Sequence, residues 1–219
     1  MCRTLDYKQS VSTAHRAELA TATSLDLACS DVFFLESTLR SDHFGSLQQL
    51  RSLAIDHCKI RTLPPRSFVG LASLETLSVE TFNSEWSAIL LHIDYEAFVG
   101  LNQLKTLTLS NNNIYETPAK LFCPLASVET IDLSNNRLVN LEDLGLSTEG
   151  GVGAEQCSVS VTKLELSGNR LTTLTPGSLG AATRLETLIV RDNEVSVLDR
   201  MTFRGLPTLA TVDLRWDIK

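Results

Sequence analysis

The chain has 219 residues, of which 43% are hydrophobic and 21% charged, and its formal net charge is −7. This composition can fill the interior of one elongated domain, and the negative charge predicts no nucleic-acid partner and no contact with an anionic membrane. The longest apolar stretch, around 87–93, is too short to cross a bilayer, which needs ~20 residues, and the start of the chain lacks the apolar region of a secretory signal peptide.

A pattern of apolar residues repeats along the chain with a period of 24 residues. Its consensus is LxxLxLxxNxLxxL, and it recurs without a gap at 50–73, 104–127, 161–184 and 185–208. Because side chains alternate along an extended backbone, Leu107 and Leu109 are predicted to point inward, and Thr106 and Thr108 outward. This spacing is that of the leucine-rich repeat, in which one coil cannot bury its apolar face alone and successive coils share a core.

The predicted fold is therefore an α/β leucine-rich-repeat solenoid, a horseshoe with a parallel β-sheet on its concave face and short helices or turns on its convex face. Position nine of the regular coils is asparagine, whose amide can satisfy buried backbone groups where a coil leaves the sheet. These structural asparagines are Asn112, Asn136, Asn169 and Asn193. Six residues before each new strand lies a second column, predicted to stack as an apolar spine: Phe44, Phe68, Phe98, Phe122, Leu179 and Phe203. With these residues assigned to the core, no cofactor is predicted.

Two coils are longer than the period. The first, 74–103, carries extra residues around Trp86, and Phe82 replaces the position-nine asparagine. The second, 128–160, contains the Gly-rich segment 145–157. Insertions in a solenoid form loops on one rim and leave the stack intact. The insertions near 83–93 and 145–160 are thus predicted either as plain flexible loops or as places where a specific surface is built.

The cysteines indicate disulfides. Cys123 and Cys157 lie five and four residues before the strands of adjacent coils, and neighbouring strands are ~4.8 Å apart, within the Cα separation that a disulfide tolerates. Cys29 and Cys58 form a second plausible pair near the strand ends of the first coils, although Cys58 could instead be a small buried thiol. Cys2 is left without a partner. Disulfides imply an oxidising, extracytoplasmic environment.

Charged residues on the predicted concave face are candidates for ligand binding. Counted from the first residue of each coil, position five carries Asp132, Glu165 and Asp213, and position two carries Glu75, Glu129 and Glu186. These columns could receive a basic ligand, or they could be a solvated polar face with Lys105, Lys163 and Arg191 interspersed. His57 is also expected on the concave strand face, as a solvated residue or as a pH-sensitive contact.

Catalysis and metal binding have no sequence support. The four histidines fall at unrelated positions, and no HxxxH, CxxC or GxSxG motif accompanies them. The concave acidic residues lie at least one coil apart, so they do not form a catalytic pair. The chain is expected not to be an enzyme.

Several segments resemble the ectodomain of arthropod Toll receptors of the long Tollo type. They are CysSerAspVal from Cys29, 53–63 with its Cys58, AsnSerGluTrpSerAla from Asn83, PheCysProLeu from Phe122, AsnArgLeu from Asn136 and GluAspLeuGly from Glu142. The resemblance implies that Cys123 is bridged to Cys157 across the long insertion. It also implies that 1–21 is the remnant of an amino-terminal cap, that 22–219 is the repeat domain, and that the last repeat is incomplete, as in a fragment of a longer receptor.

By the same resemblance, the parent protein is expected at the plasma membrane, with this segment outside the cell and not itself in contact with the membrane. The implied partner is a secreted cystine-knot cytokine of the Spätzle kind, in innate immune or developmental signalling. Two other functions stay open at this stage. In the first, the same face mediates cell-surface adhesion by pairing with another leucine-rich-repeat ectodomain. In the second, the chain is a soluble or intracellular scaffold.

Overall fold

The computed structural model describes residues 2–4, 20–29, 36–41, 43–81, 90–144, 146 and 159–215. In chain order the strands are β1 (Cys2–Thr4), β2 (Ser24–Ala28), β3 (Glu36–Thr38), β4 (Ser52–Asp56), β5 (Thr62–Leu63), β6 (Thr76–Glu80), β7 (His92–Ile93), β8 (Thr106–Thr108), β9 (Thr130–Asp132), β10 (Lys163–Glu165), β11 (Thr173–Leu174), β12 (Thr187–Ile189), β13 (Val197–Leu198) and β14 (Thr211–Asp213). A 3₁₀ helix spans Leu141–Leu144.

One parallel sheet contains a strand from each successive coil, in the order β2-β4-β6-β8-β9-β10-β12-β14. Because this is also chain order, each coil lies beside the one before it, which confirms the predicted solenoid with its parallel sheet. The register is continuous across both longer coils, since Thr76 pairs with Thr106 and Thr130 with Lys163. The predicted insertions themselves, near 83–93 and 145–160, lie largely outside the described residues.

Alternating burial along each strand separates a core from a polar face. In β4, Leu53 and Ile55 are fully buried while Ser52 and Asp56 are partly exposed. The inward leucines of successive coils form one continuous apolar cluster, so each coil's apolar side chains are covered by its neighbours.

The predicted aromatic spine runs along the convex side of this core. The rings of Phe44 and Phe68 are stacked with centroids 6.0 Å apart, and those of Phe68 and Phe98 repeat the same spacing. The backbone at each phenylalanine forms a tight turn, as where Leu71 N–H donates to the Phe68 carbonyl at 3.2 Å. In the described residues the convex side therefore consists of turns and the 3₁₀ helix. The sequence had predicted short helices or turns there, and most of these places are turns.

Close contact between the convex turns of two adjacent coils depends on Gly70. Gly70 has φ +97°, and a Cβ there would lie 2.7 Å from the Cα of Gly45 in the preceding coil. Short parallel ladders, β5 with β7 and β11 with β13, add a second set of inter-coil contacts where the chain returns from the sheet. These ladders were not predicted, because two-residue strands carry too little alternation to be recognised.

The position-nine asparagines bond each coil to the one before it. The Asn136 Oδ1 accepts the N–H groups of Asn112 and Ile114 at 3.1 and 2.9 Å, and its Nδ2 donates to the Leu109 carbonyl at 2.8 Å. Asn169 repeats the pattern with Leu138 N–H and the Leu133 carbonyl. The side chains of both asparagines are buried, so these amides satisfy backbone groups that water does not reach.

In the second coil a disulfide occupies the asparagine position. Cys58 is fully buried and bonded to Cys29, with their Cα atoms 4.8 Å apart. Here the covalent bond joins adjacent coils where an amide does so elsewhere. Cys123 is also disulfide-bonded, while Cys157, its predicted partner, and Cys2 are not covered at the side-chain level by the described residues.

Replacing Asn136 by alanine is predicted to lower the free energy of unfolding by about 2–4 kcal/mol, because several buried backbone groups lose their partner at once. Urea-induced unfolding followed by circular dichroism measures this change. Asn102→Ala is the matched control, since Asn102 is exposed in a turn, and it should alter the free energy by less than about 0.5 kcal/mol. Equal effects of the two substitutions would show that the amide ladder does not stabilise the stack.

Loss of the Cys29–Cys58 bridge is predicted to lower the free energy of unfolding by roughly 2–4 kcal/mol. The double variant Cys29→Ser/Cys58→Ser, kept oxidised so that the Cys123 disulfide persists, isolates this bridge. Its urea midpoint should lie below that of the oxidised parent chain. An unchanged midpoint would mean that the bridge adds nothing to the stack of the first two coils.

Candidate ligand-binding surface

The concave face consists of the outward-facing side chains of the eight-stranded sheet. Threonine and serine dominate its first rows, as at Thr76 and Ser78, which are partly exposed between buried neighbours. Charged side chains also face outward, at Asp26, Asp56 and Glu80 in the first strands and at Asp132, Glu165 and Asp213 in the later ones. The sheet holds these side chains at fixed spacing, so the face is a rigid polar surface.

The position-five carboxylates accept hydrogen bonds from their own strand ends. Asp132 Oδ1 accepts the Ser134 N–H at 2.9 Å, and Glu165 Oε1 accepts the Ser167 N–H at 3.1 Å. Each carboxylate therefore satisfies the backbone two residues later, where the chain turns away from the sheet. A basic ligand that bound to Asp132 or Glu165 would therefore contact a carboxylate that already accepts a hydrogen bond from its own backbone.

Asp213 lies between two arginines. Its Oδ2 is 2.7 Å from Arg215 Nη2 and 3.4 Å from Arg191 Nε. The hydrogen bond from Arg215 holds the pKa of Asp213 below its usual value and raises that of Arg215 in turn. The sequence left open an acidic patch or a polar face with interspersed basic residues, and at this end of the face the structure places Asp213 against Arg191 and Arg215.

Position two carries a chain of ion pairs across three coils. Glu75 bonds to both Arg51 and Lys105, with 2.8 Å between Lys105 Nζ and Glu75 Oε2. The hydrogen bond from Lys105, followed by that from Arg51, lowers the pKa of Glu75, and the same contact raises the pKa of Lys105. Glu75, the first acid of the predicted position-two column, is therefore paired with two basic side chains of the same protein.

His57 lies beyond the concave strand face, contrary to the sequence-based expectation. β4 ends at Asp56, and His57 follows it in the left-handed backbone region with φ 56°. Its N–H donates to the Glu80 carbonyl of the next coil at 3.0 Å. The left-handed turn carries the imidazole to the rim of the sheet, because at this position the chain leaves the strand direction.

His57 belongs to a column of left-handed residues that the sequence analysis missed. Position eight adopts φ between 54° and 66° in five coils, at His57, Asn111, Asn135, Gly168 and Asp192. Histidine, asparagine, aspartate and glycine are the residues that tolerate this conformation best. Each donates its N–H to the following coil, as Asn135 does to Ser167 at 2.8 Å. The recurring pairs AsnAsn, GlyAsn and AspAsn were the available signal.

The described residues contain no cluster of His, Cys, Asp and Glu side chains arranged to hold a metal ion. In the same ranges no helix has the length and apolarity needed to span a membrane.

Comparison with known proteins gives a consistent family. The model of the leucine rich repeat family matches residues 21–83, 86–138 and 159–217. Toll-like receptor 7 of Drosophila melanogaster is 32% identical over 191 residues, which is 86% of this chain and 13% of that protein. Toll-like receptor 9 of Homo sapiens is 30% identical over 176 residues, covering 76% of this chain and 17% of that protein.

Among solved structures, the crystal structure of the TLR13–ssRNA13 complex is similar with a TM-score of 0.68 and 27% sequence identity. The match covers 86% of this chain and 24% of that chain. The chain therefore spans less than a quarter of the length of each of these relatives.

The pKa of the Glu75 carboxyl is predicted to lie below its usual value of 4.5 and to return toward it in the double variant Arg51→Gln/Lys105→Gln. Carbon-13 NMR of the carboxyl group measures both values. Lys120→Gln, an exposed residue of a convex turn, is the control and should leave the Glu75 pKa unchanged.

The sign of the accompanying stability change follows from the two shifts. A lowered carboxylate pKa contributes stability above pH 4.5 that is lost as the pH falls through the folded-state value, and a raised lysine pKa contributes stability that is lost as the pH rises above 10.5. The contribution of the Glu75–Lys105 pair is therefore present at neutral pH and disappears at both extremes. A Glu75 pKa at or above 4.5 would contradict the ion-pair chain.

Proposed function

The chain belongs to the leucine-rich-repeat family, and we propose that it is a non-enzymatic protein-recognition module from the extracellular region of a Toll-type receptor. Its homology to Toll-like receptors supports the receptor class. The resemblance of its insertions and cysteines to the arthropod Tollo type is the basis for the finer assignment.

The observation that carries this proposal is the polar concave face of a sheet fixed by bonds between coils. Every strand is paired with the next in one register, and the buried asparagines lock the strand ends. Such a surface is already ordered before a partner arrives, so binding costs little loss of backbone freedom. Recognition by a preformed surface requires no group that reacts, in keeping with a non-enzymatic role.

The disulfides support an extracellular location. Cys29 is bonded to Cys58, and Cys123 is also in a disulfide. Such bonds persist in oxidising environments and are rare in the cytosol, which argues against an intracellular scaffold. We propose that the parent protein resides in the plasma membrane, and that Cys157 is the partner of Cys123 across the insertion at 145–160.

The charge distribution suggests which partner surface would fit. Asp132 and Glu165 pair on neighbouring strands, and β12 separates them from the Asp213 cluster with its two arginines, so the face offers both signs within a few strands. A folded protein with mixed charges complements it better than a uniformly basic one does. We propose a secreted cystine-knot cytokine as the ligand, bound at Asp132, Glu165, Arg191 and Asp213, while His57 stands outside this face at the rim.

Two further expectations enter the proposal in the same way. Residues 1–21 are proposed as part of an amino-terminal cap that precedes the repeat domain at 22–219. The expectation that no nucleic acid binds, which came from net charge, receives no support from the comparisons, because TLR13 was crystallised as a complex with ssRNA13.

Charge reversal on the concave face is predicted to weaken cytokine binding by about tenfold or more, the loss expected for one charge-assisted contact. Arg191→Glu makes this change at one of the proposed contact residues, which is partly exposed, and Arg204→Glu makes the same change in an exposed convex turn. Biolayer interferometry with an immobilised Spätzle-type dimer measures both variants beside the parent chain.

Binding that Arg204→Glu leaves intact but Arg191→Glu weakens supports the proposal. If both variants bind the dimer as tightly as the parent chain does, the concave face is not the binding surface. If the dimer does not bind at all, while beads coated with the chain aggregate with one another, adhesion replaces cytokine recognition as the function.

A further inference from the structure

A groove runs along the rim where the strands of the sheet end. It has a volume of about 690 Å³ and extends from His57 to Glu194. Most of its walls are left-handed position-eight residues and, in the later coils, the position-ten residues that follow them, among them Asn135 and Arg170, with Glu80 and Thr81 toward the His57 end. It lies beside the concave face and shares none of the cytokine contacts proposed above.

The chemistry of the lining restricts the ligand. All the described residues that line the groove are polar or glycine, whereas sites for lipids and drug-like molecules are lined mainly by apolar side chains. Protein hot spots likewise depend on aromatic anchors such as tryptophan and tyrosine. The groove therefore suits a ligand whose own surface consists almost entirely of hydrogen-bonding groups.

Charge excludes a strongly ionic ligand. Arg137 and Arg170 supply two positive charges, and Glu80, Asp192 and Glu194 supply three negative ones. Affinity for a nucleic-acid backbone comes from clustered lysine and arginine, and three carboxylates in one groove oppose it. A neutral ligand that both donates and accepts hydrogen bonds fits this balance.

The polar groups are held in place before any ligand binds. The N–H of Asn135 donates to Ser167 and that of Gly168 to Arg191, at 2.8 and 2.9 Å, which fixes the left-handed turns of adjacent coils. Gly168 also leaves room for the Asn135 amide, because a Cβ at Gly168 would lie 2.4 Å from Asn135 Oδ1. Toward the other end of the groove, Asn111 Nδ2 donates to Glu80 Oε1 at 3.0 Å.

We propose that this rim groove binds a neutral carbohydrate chain. Each sugar hydroxyl donates one hydrogen bond and can accept two. The Arg170 guanidinium and the Asn135 amide would donate to such hydroxyls, and the carboxylates of Asp192 and Glu194 would accept from them. Several coils contribute in succession along the groove, so the ligand is an oligosaccharide, either free or attached to a glycoprotein.

Saturation-transfer NMR of the whole chain with chitopentaose, maltopentaose and mannopentaose at millimolar concentration tests the proposal. At least one should show saturable binding that Arg170→Ala and Glu194→Ala each weaken by about tenfold, as expected for loss of a hydrogen bond to a charged group. Both residues are exposed, so the substitutions should leave the thermal midpoint unchanged. Arg204→Ala and Glu116→Ala, exposed residues outside the groove, are the controls and should bind like the parent chain.

The dependence on salt separates the competing ligands. Binding of a neutral sugar should change little with salt, whereas binding of a single-stranded RNA of similar length would fall steeply. Comparing the free sugar with the same sugar coupled to a carrier protein distinguishes a soluble oligosaccharide from a glycoprotein chain. The proposal is overturned if none of the three sugars binds, if the groove and control variants lose binding equally, or if only the RNA binds and Arg170→Ala abolishes that binding.

Discussion

Where the chain of each coil turns away from the sheet, some backbone groups have no hydrogen-bond partner within that coil. The next coil of the solenoid supplies these partners. The buried Asn136 amide bonds Asn112 N–H, Ile114 N–H and the Leu109 carbonyl. Because an unsatisfied buried backbone group costs about 1–3 kcal/mol, a coil without its neighbour would be strongly disfavoured. The apolar core needs the same neighbour, so polar and apolar requirements act together to hold the coils in one register.

That register also organises the surfaces. With every coil in the same phase, a residue type that recurs at one position becomes a row across the molecule. Position two gives the ion pairs of Arg51, Glu75 and Lys105, and position eight gives the left-handed rim. The two surfaces proposed for binding differ in origin. The concave face uses side chains of the strands, while the rim groove uses residues that the turn geometry itself selects.

Charge on the concave face cannot be inferred by adding up residues. The acids of positions two and five left open a patch for a basic ligand or a solvated polar face with basic residues interspersed. In the structure Glu75 and Asp213 are paired with cations of the same chain, and the Asp132 carboxylate accepts a hydrogen bond from its own backbone. The lowered pKa values of Glu75 and Asp213 have the same cause. What remains for a partner is a surface of mixed sign, which favours specificity and orientation over simple attraction.

The sequence by itself determined the repeat, the parallel sheet, the inward leucines, and the places of the asparagine and phenylalanine columns, because these depend on local periodicity and on burial that every coil repeats. The sequence could not determine which charged side chains form ion pairs between coils, since those contacts depend on rotamers and on the distance between strands. Nor did it reveal the short ladders β5–β7 and β11–β13, or that His57 leaves the concave face. The tertiary structure decided these features, because the ladders and the turn at His57 are held by backbone contacts between coils, such as the hydrogen bond from His57 N–H to the Glu80 carbonyl.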